Sequence, residues 1–264
     1  MTKLRIATAQ FPVCADIGRN LKYMRELTRQ TRDLRGDVIH FSETCLGGYA
    51  GAEFKDWDTY DWKLLASAEQ SLLQLSKELR IGIIYGTNGR VSAGDVRNRL
   101  VYVSRGKRVA HYDKRFCTGG DLKFYNSGRR FVTFDIKGFK CGLLICYDVR
   151  FPELYREYKK RNCQVMFQSF YNARARKANI HTTIMRASLQ TRAATNYLYI
   201  SANNSSGYYQ SWPSVFILPD GTITQSCRQH RTGLIVNEIT SRDRYYDASG
   251  AYRQRAMAGT LYSE

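Results

Sequence analysis

Residues 142–153 read GLLICYDVRFPE. The apolar run before Cys146 is typical of a buried β-strand, and the residues after it, up to Pro152, are typical of a turn and a helix start. A thiol at such a junction lies at the carboxyl end of a strand, where α/β proteins bind their ligands. Cys146 is therefore a candidate nucleophile. The alternative is a structural role, because unpaired cysteine is among the most frequently buried residue types.

Two charged residues occupy similar positions in the chain. Glu43 follows residues 37–42, which have the pattern of a buried strand, and Lys114 follows a strand pattern at 100–103 and a polar turn at 104–107. Taken alone, each charge is more typical of a solvated side chain or a surface ion pair. All three ionisable groups nevertheless lie at or just beyond the ends of strand-like segments.

The order Glu43, Lys114, Cys146 resembles the carbon–nitrogen hydrolase (nitrilase) superfamily, whose catalytic set is Glu, Lys and Cys in that order. Further similar stretches are found at residues 9–10, 43–49, 113–115, 150–153, 192–196, 202–203 and 214–221. The resemblance implies an α/β fold, the four-layer α-β-β-α sandwich of this superfamily. It also implies a homodimer or larger homo-oligomer.

The residues around Cys146 favour one branch of the superfamily. Cys-Tyr-Asp followed by Arg-Phe-Pro-Glu is similar to amidases, including omega-amidase-like proteins, and to carbamoylases, whereas nitrilases usually have Cys-Trp-Glu. The resemblance therefore implies a cysteine-dependent amidohydrolase that releases ammonia from a small linear amide. An N-carbamoyl-amine or N-carbamoyl-amino-acid hydrolase uses the same three residues and is the alternative; it would release carbon dioxide as well.

Amide hydrolysis requires a nucleophile, a group that moves protons, and positive charge where the oxyanion develops. We expect Glu43 to take the thiol proton, Cys146 to attack the amide carbon, and Lys114 with the backbone N–H of Tyr147 to stabilise the oxyanion. Protonation by Glu43 then releases ammonia. The remaining thioester is hydrolysed by a water that Glu43 activates.

Asp121 and Arg150 are candidates for supporting roles. Asp121 stands where family members often have a second glutamate, and it would orient Lys114 or the substrate; the alternative is a turn residue after Gly119-Gly120. Arg150 would pair with a substrate carboxylate. The alternative for Arg150 is packing at the helix start, with Asp148 or Glu153 as partner.

Tyr49 and Tyr147 are candidates for substrate binding, and Tyr49 could equally serve packing. Two positions depart from the family pattern: Thr195 stands where a glutamate is usual, and Trp212 stands where a glycine is common. The bulk of Trp212 is expected near the mouth of the pocket.

Composition predicts one domain. At 264 residues with 43% hydrophobic content, the chain can bury a large core, so residues 1–264 are expected to form a single hydrolase domain with a tail from about 241 that wraps a partner subunit. No stretch approaches the roughly 20 apolar residues of a membrane span. Seven scattered cysteines and four distant histidines predict no metal, other cofactor or disulfide framework, and a cytoplasmic location.

The charge suggests a different function class. Forty-one basic and 23 acidic residues give a net charge of +18, which is typical of nucleic-acid-binding proteins. Basic clusters lie at 156–161 and 174–177, but they match no nucleic-acid-binding motif. A basic nucleic-acid-binding protein is therefore the non-enzyme alternative, and a solvated basic surface is favoured over it.

Alternating hydrophobic patterns predict the order of secondary structure. Strands are expected at 4–11, 38–41, 81–85, 100–145 as a cluster, 165–170, 197–202, 215–218 and 233–239. Helices are expected from about 17 to 27, 64 to 79, from Pro152 onward, and from about 179 to 195.

Overall fold

The computed structural model describes residues 1–173 and 180–263. The basic cluster Arg174–Lys177 and the expected helix start at Asn179 lie outside the described residues. The strands are β1 (Lys3–Gln10), β2 (Val38–His40), β3 (Gly82–Ser92), β4 (Asp95–Ser104), β5 (Lys107–Asp113), β6 (Thr133–Ile136), β7 (Phe139–Ile145), β8 (Val165–Phe170), β9 (Tyr199–Asn204), β10 (Val215–Ile217), β11 (Ile223–Ser226) and β12 (Gly233–Thr240). The α-helices are α1 (Ile17–Asp33), α2 (Trp62–Leu79), α3 (Pro152–Lys160), α4 (Ile180–Asn196) and α5 (Gly250–Met257).

The strands form two six-stranded mixed sheets. The first has the order β12-β1-β2-β3-β4-β5, and the second has the order β11-β10-β9-β8-β7-β6. Within each sheet three adjacent strands are parallel, β1-β2-β3 in the first and β7-β8-β9 in the second. Helices α1 and α2 pack on the outer face of the first sheet, and α3 and α4 on that of the second. The predicted four-layer α-β-β-α sandwich is confirmed.

The helices on the first sheet follow from local sequence. Asp16 caps α1 by accepting a hydrogen bond from the backbone N–H of Arg19, and Asp61 caps α2 in the same way at Leu64. In α1, Ile17, Met24 and Leu27 recur at helical spacing and are buried. Burying these apolar stripes on the sheet holds both helices in place.

Polar contacts join the two sheets at one edge. The ring of His40, at the end of β2, lies between the hydroxyls of Ser201 (2.9 Å) and Ser169 (2.8 Å), both on the second sheet. Ser169 also donates to the carbonyl oxygen of Phe41 at 2.8 Å. Burial lowers the pKa of His40 to about 3, so the ring is neutral. These bonds place the carboxyl ends of β2 and β8 at the same edge of the sandwich.

Several boundaries differ from the sequence-based predictions. Strand β2 ends at His40, so Glu43 lies three residues beyond it, and β3 continues well past Tyr85. Strand β11 and helix α5 were not predicted, because each is short and lacks a clear apolar period.

The tail beyond residue 241 packs partly on its own chain. The Arg253 side chain, 7% exposed, donates to the carbonyl oxygen of Thr195 at 3.0 Å and pairs with Asp247. The backbone N–H of Tyr245 donates to the Tyr197 hydroxyl. Among the helices of residues 1–173 and 180–263, none is long and apolar enough to cross a membrane.

Candidate active site

Cys146 lies directly after β7, where the chain turns into a 3₁₀ segment at Cys146–Arg150. Its φ angle is +41°, in the left-handed region that residues other than glycine rarely adopt. Such backbone strain is held by the surrounding structure and is common at functional sites. Burial raises the pKa of the thiol, Glu43 raises it further, and Lys114 and a backbone hydrogen bond at Tyr171 oppose that rise. The resting sulfur is therefore a neutral thiol.

Glu43 lies just past β2 with its carboxylate fully buried. Its Oε1 accepts hydrogen bonds from Asn98 Nδ2 at 2.7 Å and from Lys114 Nζ at 2.8 Å. Its Oε2 has no hydrogen-bond partner among the described residues. The carboxylate is thus fixed through one oxygen, while the other keeps its capacity to accept a proton.

Glycine at position 86 lets Glu43 occupy this place. A Cβ on Gly86, in β3, would overlap the backbone of Thr44 and the carbonyl carbon of Glu43. Thr44 itself has φ +47°, so the chain turns sharply at this point. The absent side chain on β3 therefore allows the turn after β2 to pack against the sheet.

Lys114 lies after β5 with 1% of its side chain exposed, and it bonds two carboxylates. Its Nζ is 2.8 Å from Glu43 Oε1 and 2.9 Å from Asp121 Oδ2. Burial acts to lower the pKa of Lys114, but Glu43 and its other anionic neighbours outweigh burial, so the pKa is raised and the ammonium stays charged. A buried charge remains ionised in this way only when it is paired and hydrogen-bonded.

Asp121 contacts both Lys114 and Tyr49. Its Oδ1 accepts a hydrogen bond from the Tyr49 hydroxyl, and its Oδ2 also accepts one from the backbone N–H of Thr118 at 2.9 Å. Burial acts to raise the pKa of Asp121, but Lys114 and these bonds hold it below its usual value. The Tyr49 ring lies beneath Lys114 Nζ at 5.9 Å and stacks on Tyr171.

The structure thus brings together Glu43, Lys114, Asp121, Tyr49 and Cys146. The first four come from the first sheet and the loops that follow its strands, whereas Cys146 comes from the second sheet. Glu43, Lys114 and Asp121 all act on the pKa of the thiol, which places them within electrostatic range of the sulfur. The cluster holds a thiol, a fixed ammonium and a carboxylate of which one oxygen accepts no hydrogen bond from the described part of the chain. These are the groups that acyl transfer requires.

A family model for carbon–nitrogen hydrolases matches residues 5–245 of the chain. The chain belongs to the carbon–nitrogen hydrolase family. This confirms the family assignment made from the sequence.

Curated relatives of this carbon–nitrogen hydrolase include omega-amidases. The human omega-amidase NIT2 is 27% identical over 227 residues, which cover 80% of this chain and 79% of the relative. The omega-amidase NIT2 of Xenopus tropicalis is 24% identical over 248 residues, covering 88% of this chain and 87% of the relative. Both alignments therefore extend over most of each protein.

Solved structures of an amidase from Nesterenkonia sp. AN1 share the fold of this carbon–nitrogen hydrolase. One has a TM-score of 0.84 at 18% identity and covers 98% of this chain and 95% of its own. Another, with a TM-score of 0.81 at 19% identity over 90% of each chain, shows covalent addition of the acetamide moiety of fluoroacetamide at the active site cysteine.

Tyr147 and Arg150 lie on the turn after Cys146 but outside the buried cluster of this hydrolase. The Tyr147 side chain is 37% exposed and its ring packs edge-on against Phe151. Arg150 Nη2 lies 3.4 Å from His181 Nδ1. Within the described part of the chain, no carboxylate lies at ion-pair distance from Arg150, so Asp148 and Glu153 are not its partners there.

Asp148, a candidate partner of Arg150 from the sequence, instead binds three donors near the Cys146 turn. Its buried carboxylate accepts hydrogen bonds from the backbone N–H of Ile145 (2.9 Å), the backbone N–H of Phe116 (3.0 Å) and the Tyr112 hydroxyl (2.7 Å). It therefore ties the turn of Cys146 to the segment that follows Lys114.

Sequence reasoning missed Asn98, which holds Glu43, and it misplaced Trp212. The prediction that Trp212 lies near the pocket mouth was wrong: the ring is 1% exposed and donates from Nε1 to Asn172 Oδ1 at 3.1 Å. The sequence did carry a sign for Asn98: it occupies a buried position of β4 whose neighbours on the same face, Val96 and Leu100, are apolar. No local pattern indicated the partner of Trp212, because 40 residues separate it from Asn172.

Proposed function

We propose that this protein hydrolyses a small linear amide to a carboxylic acid and ammonia through a thioester on Cys146. In this mechanism Glu43 is the general base and acid, and Lys114 stabilises the oxyanion. The observation that carries the proposal is the buried Glu43–Lys114 pair beside a thiol on a strained turn, with one carboxylate oxygen that accepts no hydrogen bond from residues 1–173 or 180–263.

The reaction begins with a proton transfer, because burial keeps the Cys146 thiol protonated. Glu43 Oε2 takes the thiol proton as the sulfur attacks the amide carbon, and the carbonyl electrons move onto oxygen. Lys114 and the backbone N–H of Tyr147 stabilise that oxyanion; removing one such donor typically lowers the rate about 10²–10³-fold. Lys114 stays charged throughout, because its two carboxylate neighbours raise its pKa.

The second half returns every atom to its starting state. The protonated Glu43 gives its proton to the amide nitrogen, and the carbon–nitrogen bond breaks. Ammonia departs, and the acyl group remains on Cys146 as a thioester. Glu43 then takes a proton from water, whose oxygen attacks the thioester carbon. The thiolate leaves with the proton that Glu43 held, which regenerates the thiol and the carboxylate.

Supporting roles follow from the contacts. Asp121 is the second carboxylate that binds the ammonium of Lys114, and it accepts the hydrogen bond of the Tyr49 hydroxyl, so we assign it the position of the family's second glutamate. Tyr49 and Tyr147 are assigned to the substrate pocket. Arg150 is assigned to a substrate carboxylate, as an omega-amide of a dicarboxylate would carry, since its described neighbour is His181 and not an acid.

Location and assembly are proposed on separate grounds. Seven free thiols suit a reducing compartment, and we assign the protein to the cytoplasm. Exposed apolar side chains gather in the tail: Tyr246, Tyr252, Leu261 and Tyr262. We assign this tail to the surface of a second copy in a homodimer or larger homo-oligomer, with residues 1–264 forming one hydrolase domain.

The test is ammonia release from simple amides, omega-amides of dicarboxylates and N-carbamoyl compounds. We expect turnover by the wild type and by Cys14→Ala, which removes another partly accessible thiol, and none by Cys146→Ala. With a slow substrate, mass spectrometry should find an acyl adduct on the Cys146 peptide. Carbon dioxide formed in equal amount to ammonia would identify the carbamoylase alternative. Amide turnover that survives in Cys146→Ala would refute the covalent mechanism.

A further inference from the structure

We infer that Asn172 is a catalytic residue that stabilises the Cys146 thiolate, and that Trp212 is the positioning residue that aims its amide at the sulfur. The inference rests on the proposed function of Cys146 and adds to it a donor outside the Glu-Lys-Cys set. It follows from a chain of two contacts, Trp212 to Asn172 and Asn172 to Cys146.

The first step is the identity of the amide atoms. Asn172 lies two residues beyond the end of β8, and its side-chain amide lies between the indole of Trp212 and the sulfur of Cys146. Indole Nε1–H only donates hydrogen bonds, so the atom of Asn172 that faces it at 3.1 Å must be Oδ1. A flip of the side-chain amide by 180° would place Asn172 Nδ2 opposite Trp212 Nε1, so that two hydrogen-bond donors would face each other. Nδ2 is therefore the atom that faces Sγ, at 3.8 Å.

The second step is how firmly the pair is held. The backbone N–H of Asn172 donates to Asn204 Oδ1 at 2.8 Å, and its carbonyl accepts from the backbone N–H of Ser211 at 2.8 Å. Asn204 Nδ2 donates in turn to the carbonyl oxygen of Trp212 at 2.8 Å. The indole packs edge-on against Phe170 with ring centroids 4.9 Å apart. Backbone and side chain of both residues are thus fixed before any substrate binds.

The third step is the charge on the sulfur. A thiolate is a much better hydrogen-bond acceptor than a thiol or a thioester, so a fixed N–H donor favours the states in which Sγ is negative. Those states occur when Glu43 removes the thiol proton and again when the thiolate leaves the thioester. Burial and the nearby carboxylates oppose this charge. Asn172 and the backbone N–H of Tyr171 counteract them from the side of the second sheet.

The size of the effect follows from ordinary hydrogen bonding. A hydrogen bond to a charged group contributes more than a neutral one, but 3.8 Å is long. We therefore expect the loss of Asn172 Nδ2 to raise the thiol pKa and to make ionisation of the thiol about tenfold less favourable. At any pH below the thiol pKa, the variant then has about one tenth of the wild-type thiolate fraction. Its rate of alkylation at that pH is lower by the same factor.

The experiment measures alkylation of Cys146 by iodoacetamide in the full-length protein without substrate, followed by mass spectrometry of the Cys146 peptide from pH 6 to pH 10. Asn172→Ala removes the donor. Trp212→Phe keeps most of the ring but removes Nε1–H, which frees the amide to turn over. Phe170→Leu is the matched control, because it disturbs the packing of the same indole and leaves both hydrogen bonds in place.

We expect alkylation to be about tenfold slower in Asn172→Ala, slower in Trp212→Phe by a smaller factor, and unchanged within twofold in Phe170→Leu. The kcat should fall in the first two variants with little change in KM. Equal alkylation rates in wild type, Asn172→Ala and Trp212→Phe would overturn the inference, as would the same loss in Phe170→Leu. Turnover surviving in Cys146→Ala would instead refute the proposed function, so the two failures are distinguishable.

Discussion

Asp148→Asn should destabilise the protein by an amount that depends strongly on pH. The Asp148 carboxylate is fully buried, and its two oxygens accept hydrogen bonds from donors that belong to both halves of the sandwich: Ile145 on β7, Tyr112 on β5, and Phe116 in the loop that follows β5. Asparagine has one acceptor oxygen, so at least one of these donors must face an NH₂ group. A buried N–H left without a partner costs about 1–3 kcal/mol.

The pH dependence comes from the carboxyl group itself. Burial raises the pKa of Asp148 to about 6 from 3.8, and the hydrogen bonds offset only part of that rise. Because the folded protein holds this proton more tightly than the unfolded chain, the group contributes stability below about pH 4, and this contribution is lost as the pH rises through about 6. Two pH units correspond to about 3 kcal/mol. Asparagine does not titrate and lacks this contribution. The loss of unfolding free energy caused by Asp148→Asn should therefore be about 3 kcal/mol larger at pH 4 than at pH 8.

The assay is urea unfolding of wild type and variant, followed by tryptophan fluorescence at intervals from pH 4 to pH 8. Asp121→Asn is the control, because the ammonium of Lys114 holds the pKa of Asp121 below its usual value, and its penalty should not change above pH 5. A penalty for Asp148→Asn that is the same at pH 4 and pH 8 would contradict the assigned titration. Activity should also fall, since an ångström of misplacement at the Cys146 turn can cost about 10²-fold.

Three further substitutions test the placement of the site. Gly86→Ala should push the turn at Thr44 away and lower kcat about 10²-fold with an unchanged far-ultraviolet spectrum; full activity would show that the turn adapts. Lys114→Met leaves two buried carboxylates without their cation, so we expect a loss of about 3–5 kcal/mol in urea unfolding and no measurable turnover; wild-type stability would contradict the buried pairing. Arg150→Ala should raise KM for omega-amides that carry a carboxylate and not for neutral amides, whereas His181→Ala should leave both KM values nearly unchanged. Equal effects of Arg150→Ala on the two substrate classes would assign Arg150 to packing.

The common location of Glu43, Lys114 and Cys146 could be predicted from the sequence, because each of these residues follows a strand-like segment. Parallel strands present their carboxyl ends at one edge, so an apolar run followed by Glu43, or by Cys146, already indicates that edge. The four-layer architecture followed from the family resemblance, and the apolar periods of α1 and α2 were consistent with it.

Contacts between distant segments were not accessible in the same way. Asn98 and Glu43 are 55 residues apart, and nothing in either segment specifies the other. Trp212 was expected near the mouth of the pocket because it stands where a glycine is common, but sequence cannot tell whether a large ring faces a cavity or the core. The placement of Asp148 depends on β5 and β7 lying in different sheets, which is a property of the whole sandwich.

The two-sheet origin of the cluster has a consequence for how activity responds to partial unfolding. Glu43 and Lys114 move with one sheet, Cys146 and Asn172 with the other, and hydrogen bonds such as that from Glu43 N to Phe170 O (3.3 Å) span the gap. A slight sliding of one half over the other would leave both sets of strands intact while separating base from sulfur. In a denaturant titration, turnover should consequently be lost at a lower denaturant concentration than the circular dichroism signal of the strands and helices. The activity of the enzyme would then report whether its two sheets are correctly packed on each other.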